Sequence, residues 1–175
     1  VTNGTQICEG WVYDRKEYTK WVNLRIPIYY LKNEMPEKAN VIFSASNYPN
    51  YRANDGLYTG NSLYVGDAEL IYSSRIEQLI IGDKVWVEFN PNSSEEQVYE
   101  LSTSATSIPT IVAKRGIGSL TNRHGKTVQF PGRELSGSEL TIVKGAIGEV
   151  TTLTVQSEDK KSQTVYKIRF RYPAS

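Results

Sequence analysis

Hydrophobic and polar residues alternate along much of the chain with the two-residue period of β-strands, and no stretch carries a convincing helical period. The C-terminal half has the cleanest pattern. YKIRFRY (166–172) directs Tyr166, Ile168, Phe170 and Tyr172 inward and Lys167, Arg169 and Arg171 outward. VTTLTVQS (150–157) sets Thr151, Leu153 and Val155 against Thr152, Thr154 and Gln156. Between them SEDKKSQ reads as a polar hairpin loop, so the pair forms an antiparallel ribbon with one wet face. Upstream, LIIG, KVWVEF, QVYELS, TIVAK and KTVQF supply more short strands at the spacing of a β-sandwich.

The N-terminal half also reads as strands. WVNLRIPIYYL (21–31) is rich in β-branched and aromatic residues, and Pro27 marks an edge or a bulge. VIFSAS (41–46) is a short apolar run, followed by the turn-rich loop SNYPNYRANDGLYTGN. LYVGDAELIY (63–72) predicts a third strand, interrupted by SSR at 73–75. Alternation there gives one face Leu63, Val65, Asp67, Glu69 and Ile71, and the other Tyr64, Gly66, Ala68, Leu70 and Tyr72. Two carboxylates in the middle of an apolar strand need a reason: solvation after a bulge at Gly66, a bound cation, or acid–base chemistry.

Composition narrows the picture. The chain has 175 residues, 39% hydrophobic and 22% charged, with a net charge of +1, enough for one large domain or two small ones. So even a balance gives no footprint for nucleic acid. No apolar run approaches the roughly 20 residues that span a bilayer, so no transmembrane segment is expected. No leader sequence opens the chain, as expected of a mature or trimmed form. Cys8, the single cysteine, permits no internal disulfide. Nine of the 12 tyrosines and two of the three tryptophans precede residue 75, which places a boundary near Ser73–Arg75. The expected fold class is all-β: an incomplete sandwich in residues 1–74, then an immunoglobulin-like β-sandwich in 75–175. Three or four strands in the first part bury little core. That part is expected to take strands from its neighbour, from a partner chain, or from a missing N-terminal segment.

The motifs IPIYY, PEKANVIFSAS and GNSLYVGDAELIY resemble the end of the carbohydrate metabolism domain (PCMD) family of surface and secreted proteins from glycan-degrading gut bacteria. Pro36, Ser44, Ser46, Gly60, Ser62, Leu63, Tyr64, Val65, Asp67, Glu69, Leu70 and Tyr72 fit its closing segment. Gly66 departs from it, standing where the first Asp of a pair is common. The resemblance covers residues 7–74, the last third of such a jelly roll. SRIEQLIIGDKVWVEFNP and TTLTVQSEDKKSQTVYKIRF resemble the cadherin-like or immunoglobulin-like modules that accompany these domains. The resemblance implies an extracytoplasmic bacterial protein, secreted or held at the cell surface or outer membrane as a lipoprotein, in glycan utilisation. It carries no catalytic mechanism, because function lives in sites grafted on folds.

On a strand, Asp67 and Glu69 have Cα atoms about 6.5–7 Å apart on one face. Retaining glycosidases hold their carboxyl groups roughly 5–5.5 Å apart and inverting ones roughly 6.5–9.5 Å, so this spacing fits either. Solvation is the preferred reading, because glycines within strands mark bulges. A structural calcium held by Asp67 and loop carbonyls comes second. Catalysis comes last, since a general acid needs burial. Loop 46–61 is the leading binding candidate. Tyr48, Tyr51 and Tyr58 offer flat faces to sugar rings, while Arg52, Asn54 and Asp55 offer hydrogen bonds to hydroxyls. The plainer alternative packs these tyrosines against the sandwich. Trp11 and Trp21, with Tyr13 and Tyr18, form a secondary candidate, for which core or interface packing is the stronger reading. His124 is the only histidine and has no cysteine neighbours, and the glycine-rich stretches lack the ending of a phosphate-binding loop. Glu158, Asp159, Lys160 and Lys161 read as a solvated hairpin tip.

The expected function is a non-catalytic, glycan-associated protein that contacts carbohydrate through loop 46–61, with the sandwich as spacer and no cofactor beyond the structural calcium. Two alternatives stay open: a glycoside hydrolase with catalytic residues partly outside this chain, and an adhesive or structural subunit that completes its sheet with a partner strand.

Overall fold

The ribbon expected from residues 150–172 forms the centre of the molecule. The computed structural model describes residues 4–12, 19–43, 63–122 and 124–175, and no helix occurs among them. Strands β9 (Val150–Gln156) and β10 (Gln163–Arg171) pair antiparallel, with Leu153 opposite Tyr166 and Thr151 opposite Ile168. β8 (Leu140–Val143) flanks β9 antiparallel. β5 (Glu96–Glu100) lies along the other side of β10 in parallel, with Tyr99 opposite Phe170. β10 is therefore an inner strand of the order β5–β10–β9–β8. A second sheet has the order β4–β3–β6–β7, from β3 (Gln78–Ile81), β4 (Lys84–Val85), β6 (Ile111–Thr121) and β7 (Thr127–Glu134).

One hydrophobic core lies between these sheets, which makes the fold an all-β sandwich. Leu79, Ile81, Ile111 and Ala113 face it from one sheet, and Leu153, Val155, Tyr166, Ile168 and Phe170 from the other. Alternation sets this partition, because successive side chains on a strand point to opposite faces. KVWVEF departs from its expected strand. Only Lys84–Val85 pairs, and the turn that follows drops Trp86 and Phe89 into the core. Trp86 meets Tyr99 edge to face at 5.3 Å, an arrangement aromatic quadrupoles favour. Tyr172 also departs: it lies past the end of β10, is exposed, and donates its hydroxyl to the Ala105 carbonyl at 2.7 Å.

The N-terminal half contributes only two short strands among the described residues, β1 (Cys8–Glu9) and β2 (Tyr29–Tyr30), paired antiparallel. This ribbon docks on β6 and β7. The Tyr29 ring stands 5.7 Å from that of Phe130 on β7. On β6, a Cβ at Gly118 would lie 2.3 Å from Tyr29 Cε1, and one at Gly116 would lie 2.3 Å from Tyr30 Cδ2. Gly116 also has φ +73°, a conformation that side chains resist. Ile7 is fully buried beside the ribbon, and its carbonyl accepts from Leu31 N–H at 2.8 Å.

The strands expected at 21–31 and 63–72 are corrected here. Apart from Tyr29–Tyr30, residues 21–28 and 63–72 carry no strand, turn or bend and pair with no strand among the described residues, and the same holds for 41–43. Alternation is a property of side chains, whereas a strand needs a neighbour to complete its ladder. Among the described residues Gly66 accordingly has no ladder in which to form a bulge.

Replacing Gly118 by Val is expected to push Tyr29 off β6 and to lower stability by about 1–3 kcal/mol, as overpacking does. Phe170→Ala in the core is expected to remove about 3–5 kcal/mol. Urea denaturation followed by tryptophan fluorescence measures both.

Candidate functional site

Two places on the molecule gather chemically distinctive side chains. The first is internal and joins the N-terminal ribbon to the sandwich. Arg115 on β6 and Arg133 on β7 are directly paired across the sheet, and both are buried. Two like charges so close require anions. Glu139 supplies the first: Arg133 donates from Nη1 to its Oε1 at 2.7 Å and from Nη2 to its Oε2 at 2.6 Å, a two-pronged fit of guanidinium to carboxylate. Glu158 supplies the second, accepting from Arg133 Nη2 at 2.7 Å. Arg115 Nη1 donates to the Ser73 carbonyl and lies 3.9 Å from Glu139. The Tyr30 ring covers Arg133, with the guanidinium carbon 5.1 Å from its centroid.

Burial opposes ionisation of Glu139, but the Arg133 hydrogen bonds and charge outweigh it and hold the carboxyl below its ordinary range. Burial also disfavours the Arg133 cation, and its hydrogen bonds to Glu139 and Tyr30 with their charge more than offset this, leaving its pKa raised. Arg115 has weaker pairing, and burial lowers its pKa. Nε and Nη2 of Arg115 and Nε of Arg133 have no hydrogen-bond partner among the described residues. Burial pushes the nearby Cys8 thiol up, away from the reactive thiolate. Two positive guanidinium groups neutralised by two carboxylates form a structural joint. Sequence reasoning passed over it, and read Glu158 as part of a solvated tip. The structure corrects that: Glu158 turns inward to Arg133, while Asp159 stays outside and accepts from Ser157 Oγ at 2.7 Å. Arg115 was legible in principle, because Ile111, Ala113 and Arg115 share the buried parity of β6.

The second place is on the surface. Trp21 is 73% exposed, and its six-membered ring rests against Gly66, whose absent side chain leaves about 3.4 Å between a Cβ position and Trp21 Cζ3. Tyr64, two residues before that glycine, is 79% exposed. Asp67 and Glu69 follow on the same extended segment, both exposed. The structure thus brings Trp21 to the segment that carries both carboxylates, which sequence separated by more than forty residues. Trp11 is half-buried. Tyr48, Tyr51, Arg52, Asn54, Asp55 and Tyr58, with Tyr13 and Tyr18, lie outside the described residues. Among the described residues, no group of three or more His, Cys, Asp or Glu side chains is placed to hold a metal ion, and no helix is long and apolar enough to cross a membrane.

Compared with known proteins, the chain matches no family model, no curated protein and no solved structure.

The internal joint makes stability depend on pH with a definite sign. A carboxyl whose folded pKa is depressed adds stability above its unfolded value, and that stability is lost as pH falls through the folded value. The Glu139 contribution should therefore be complete above about pH 4.5, its ordinary value, and fade below it. Glu139→Gln should remove about 3–5 kcal/mol at neutral pH, because it leaves Arg133 short of an anion, and should flatten the acid limb. Urea midpoints measured from pH 3 to 8 check both.

Proposed function

We propose that this chain is a non-catalytic, extracytoplasmic bacterial protein that binds carbohydrate at its N-terminal aromatic surface. In this reading residues 1–74 are the closing part of a jelly roll and residues 75–175 an immunoglobulin-like sandwich that serves as spacer or platform. The observation that carries it is Trp21: an indole supported by Gly66 and still mostly open to water. A sugar ring has apolar faces and polar edges, so it is recognised by a fixed flat aromatic surface with hydrogen-bonding groups beside it. Trp21 and Tyr64 supply the rings, and Asp67 and Glu69 the acceptors on the adjoining backbone. The tyrosines of loop 46–61 would extend the surface. The exposure of both carboxylates favours binding over acid catalysis, which needs a buried acid.

A second reading, a subunit that completes its sheet with a partner strand, is favoured by the strand-like segments 21–28 and 63–72, which form no ladder among the described residues.

Affinity electrophoresis against a panel of soluble polysaccharides tests the first reading. Retardation by at least one glycan is expected, lost on Trp21→Ala and weakened by Tyr51→Ala with Tyr58→Ala. Stacking of this kind is worth roughly 0.5–1.5 kcal/mol beyond the area buried, so affinity should fall several-fold or more. Retardation by none, or retardation indifferent to all three substitutions, would overturn it.

A further inference from the structure

The joint between the N-terminal ribbon and the sandwich needs more negative charge than its two carboxylates deliver. Both of them bond to Arg133. Arg115 bonds to neither: Glu139 Oε2 lies 3.9 Å from its Nη1, which donates instead to the neutral Ser73 carbonyl. The Glu158 side chain is 22% exposed, so water shares its charge, whereas Glu139 is buried. The interior therefore holds two guanidinium groups against one enclosed carboxylate. A buried cation without a counter-charge is costly.

Hydrogen bonding shows the same shortfall. Among the described residues, the buried side-chain atoms that lack a partner are Nε and Nη2 of Arg115 and Nε of Arg133, three donors and no acceptor. Nε and Nη2 form one edge of a planar guanidinium, and their N–H bonds point the same way, towards a shared acceptor. Arg133 is the cross-strand partner of Arg115, so the third donor lies on the same face of β6 and β7. A buried water would accept there but would bring two hydrogens that need acceptors of their own. An anion only accepts. The three nitrogens are shut off from solvent, which favours a monatomic anion over a bulkier oxyanion. We propose that the joint binds one halide-sized inorganic anion, chloride in ordinary solution, on the Nε–Nη2 edge of Arg115. Burial lowers the pKa of Arg115, in keeping with a cation short of a counter-charge. The anion supplies that charge where Tyr30 of the ribbon meets β6 and β7, and its binding is independent of the carbohydrate reading.

Thermal unfolding of the 175-residue chain at constant ionic strength tests it, with sodium chloride exchanged for sodium gluconate, whose anion is too large to be enclosed. The midpoint is expected to rise with chloride and then level off. At ten times the dissociation constant the folding equilibrium shifts about elevenfold, which is roughly 3–6 °C for a chain of this size. Arg115→Met should lose that dependence, while Arg171→Met, at an exposed arginine, should keep it. If Arg115→Met does not fold, wild-type crystals grown in bromide decide the matter. An anomalous peak is expected at hydrogen-bond distance from Nε and Nη2 of Arg115. Equal midpoints in the two salts, a chloride dependence that survives Arg115→Met, or a water or a carboxylate of this chain at that edge would each overturn the inference.

Discussion

Charge neutralisation around Arg133 is the constraint on which the union of the two halves depends. A guanidinium at 2% exposure cannot stay in a protein interior without anions at hydrogen-bond distance, because desolvation of an unpaired ion amounts to several kcal/mol. Glu139 reaches it from just beyond β7, and Glu158 from the turn between β9 and β10. Its remaining face is closed by Tyr30, which belongs to the N-terminal ribbon. One side chain therefore draws Tyr30, more than a hundred residues away, together with Glu139 and Glu158. The glycines on β6 serve the same end: only a strand without Cβ atoms at 116 and 118 lets two tyrosine rings lie against its backbone.

The C-terminal sandwich was largely readable from the sequence because its strands satisfy one another. Thr151, Leu153, Val155, Tyr166, Ile168 and Phe170 all face inward as alternation requires. The aromatic turn at Trp86 was less readable, since a run of Val, Trp, Val and Phe looks like a strand and only tertiary packing bends it. The N-terminal half was read as strands for a sound reason that had an incomplete premise. Residues 21–28 and 63–72 have the composition of strands, but a ladder is a relation between two segments and no local pattern reports it.

The candidate site divides along the same line. Asp67 and Glu69 were legible as solvated carboxylates, whereas Trp21 read first as a core or interface residue and only second as a binding ring, and the structure leaves it 73% exposed. Their nearness was not legible, because Gly66 lies forty-five positions from Trp21 and nothing in either segment refers to the other. The buried joint was missed for the opposite reason. Arginine and glutamate are ordinarily surface residues, so Arg133 and Glu158 read as solvent-facing until the third dimension placed them face to face.

The parallel pairing of β5 with β10 has a consequence for biosynthesis. β5 has one ladder partner, and that partner lies some seventy residues further along the chain. During translation the ribosome delivers Glu96–Glu100 long before Gln163–Arg171, so the early strand waits with an open edge. Closing so large a loop makes sheet formation slow compared with local hairpins. The sandwich is thus a unit whose final strand of synthesis is also its keystone, and a nascent chain halted before residue 163 would hold its core residues with nothing to cover them.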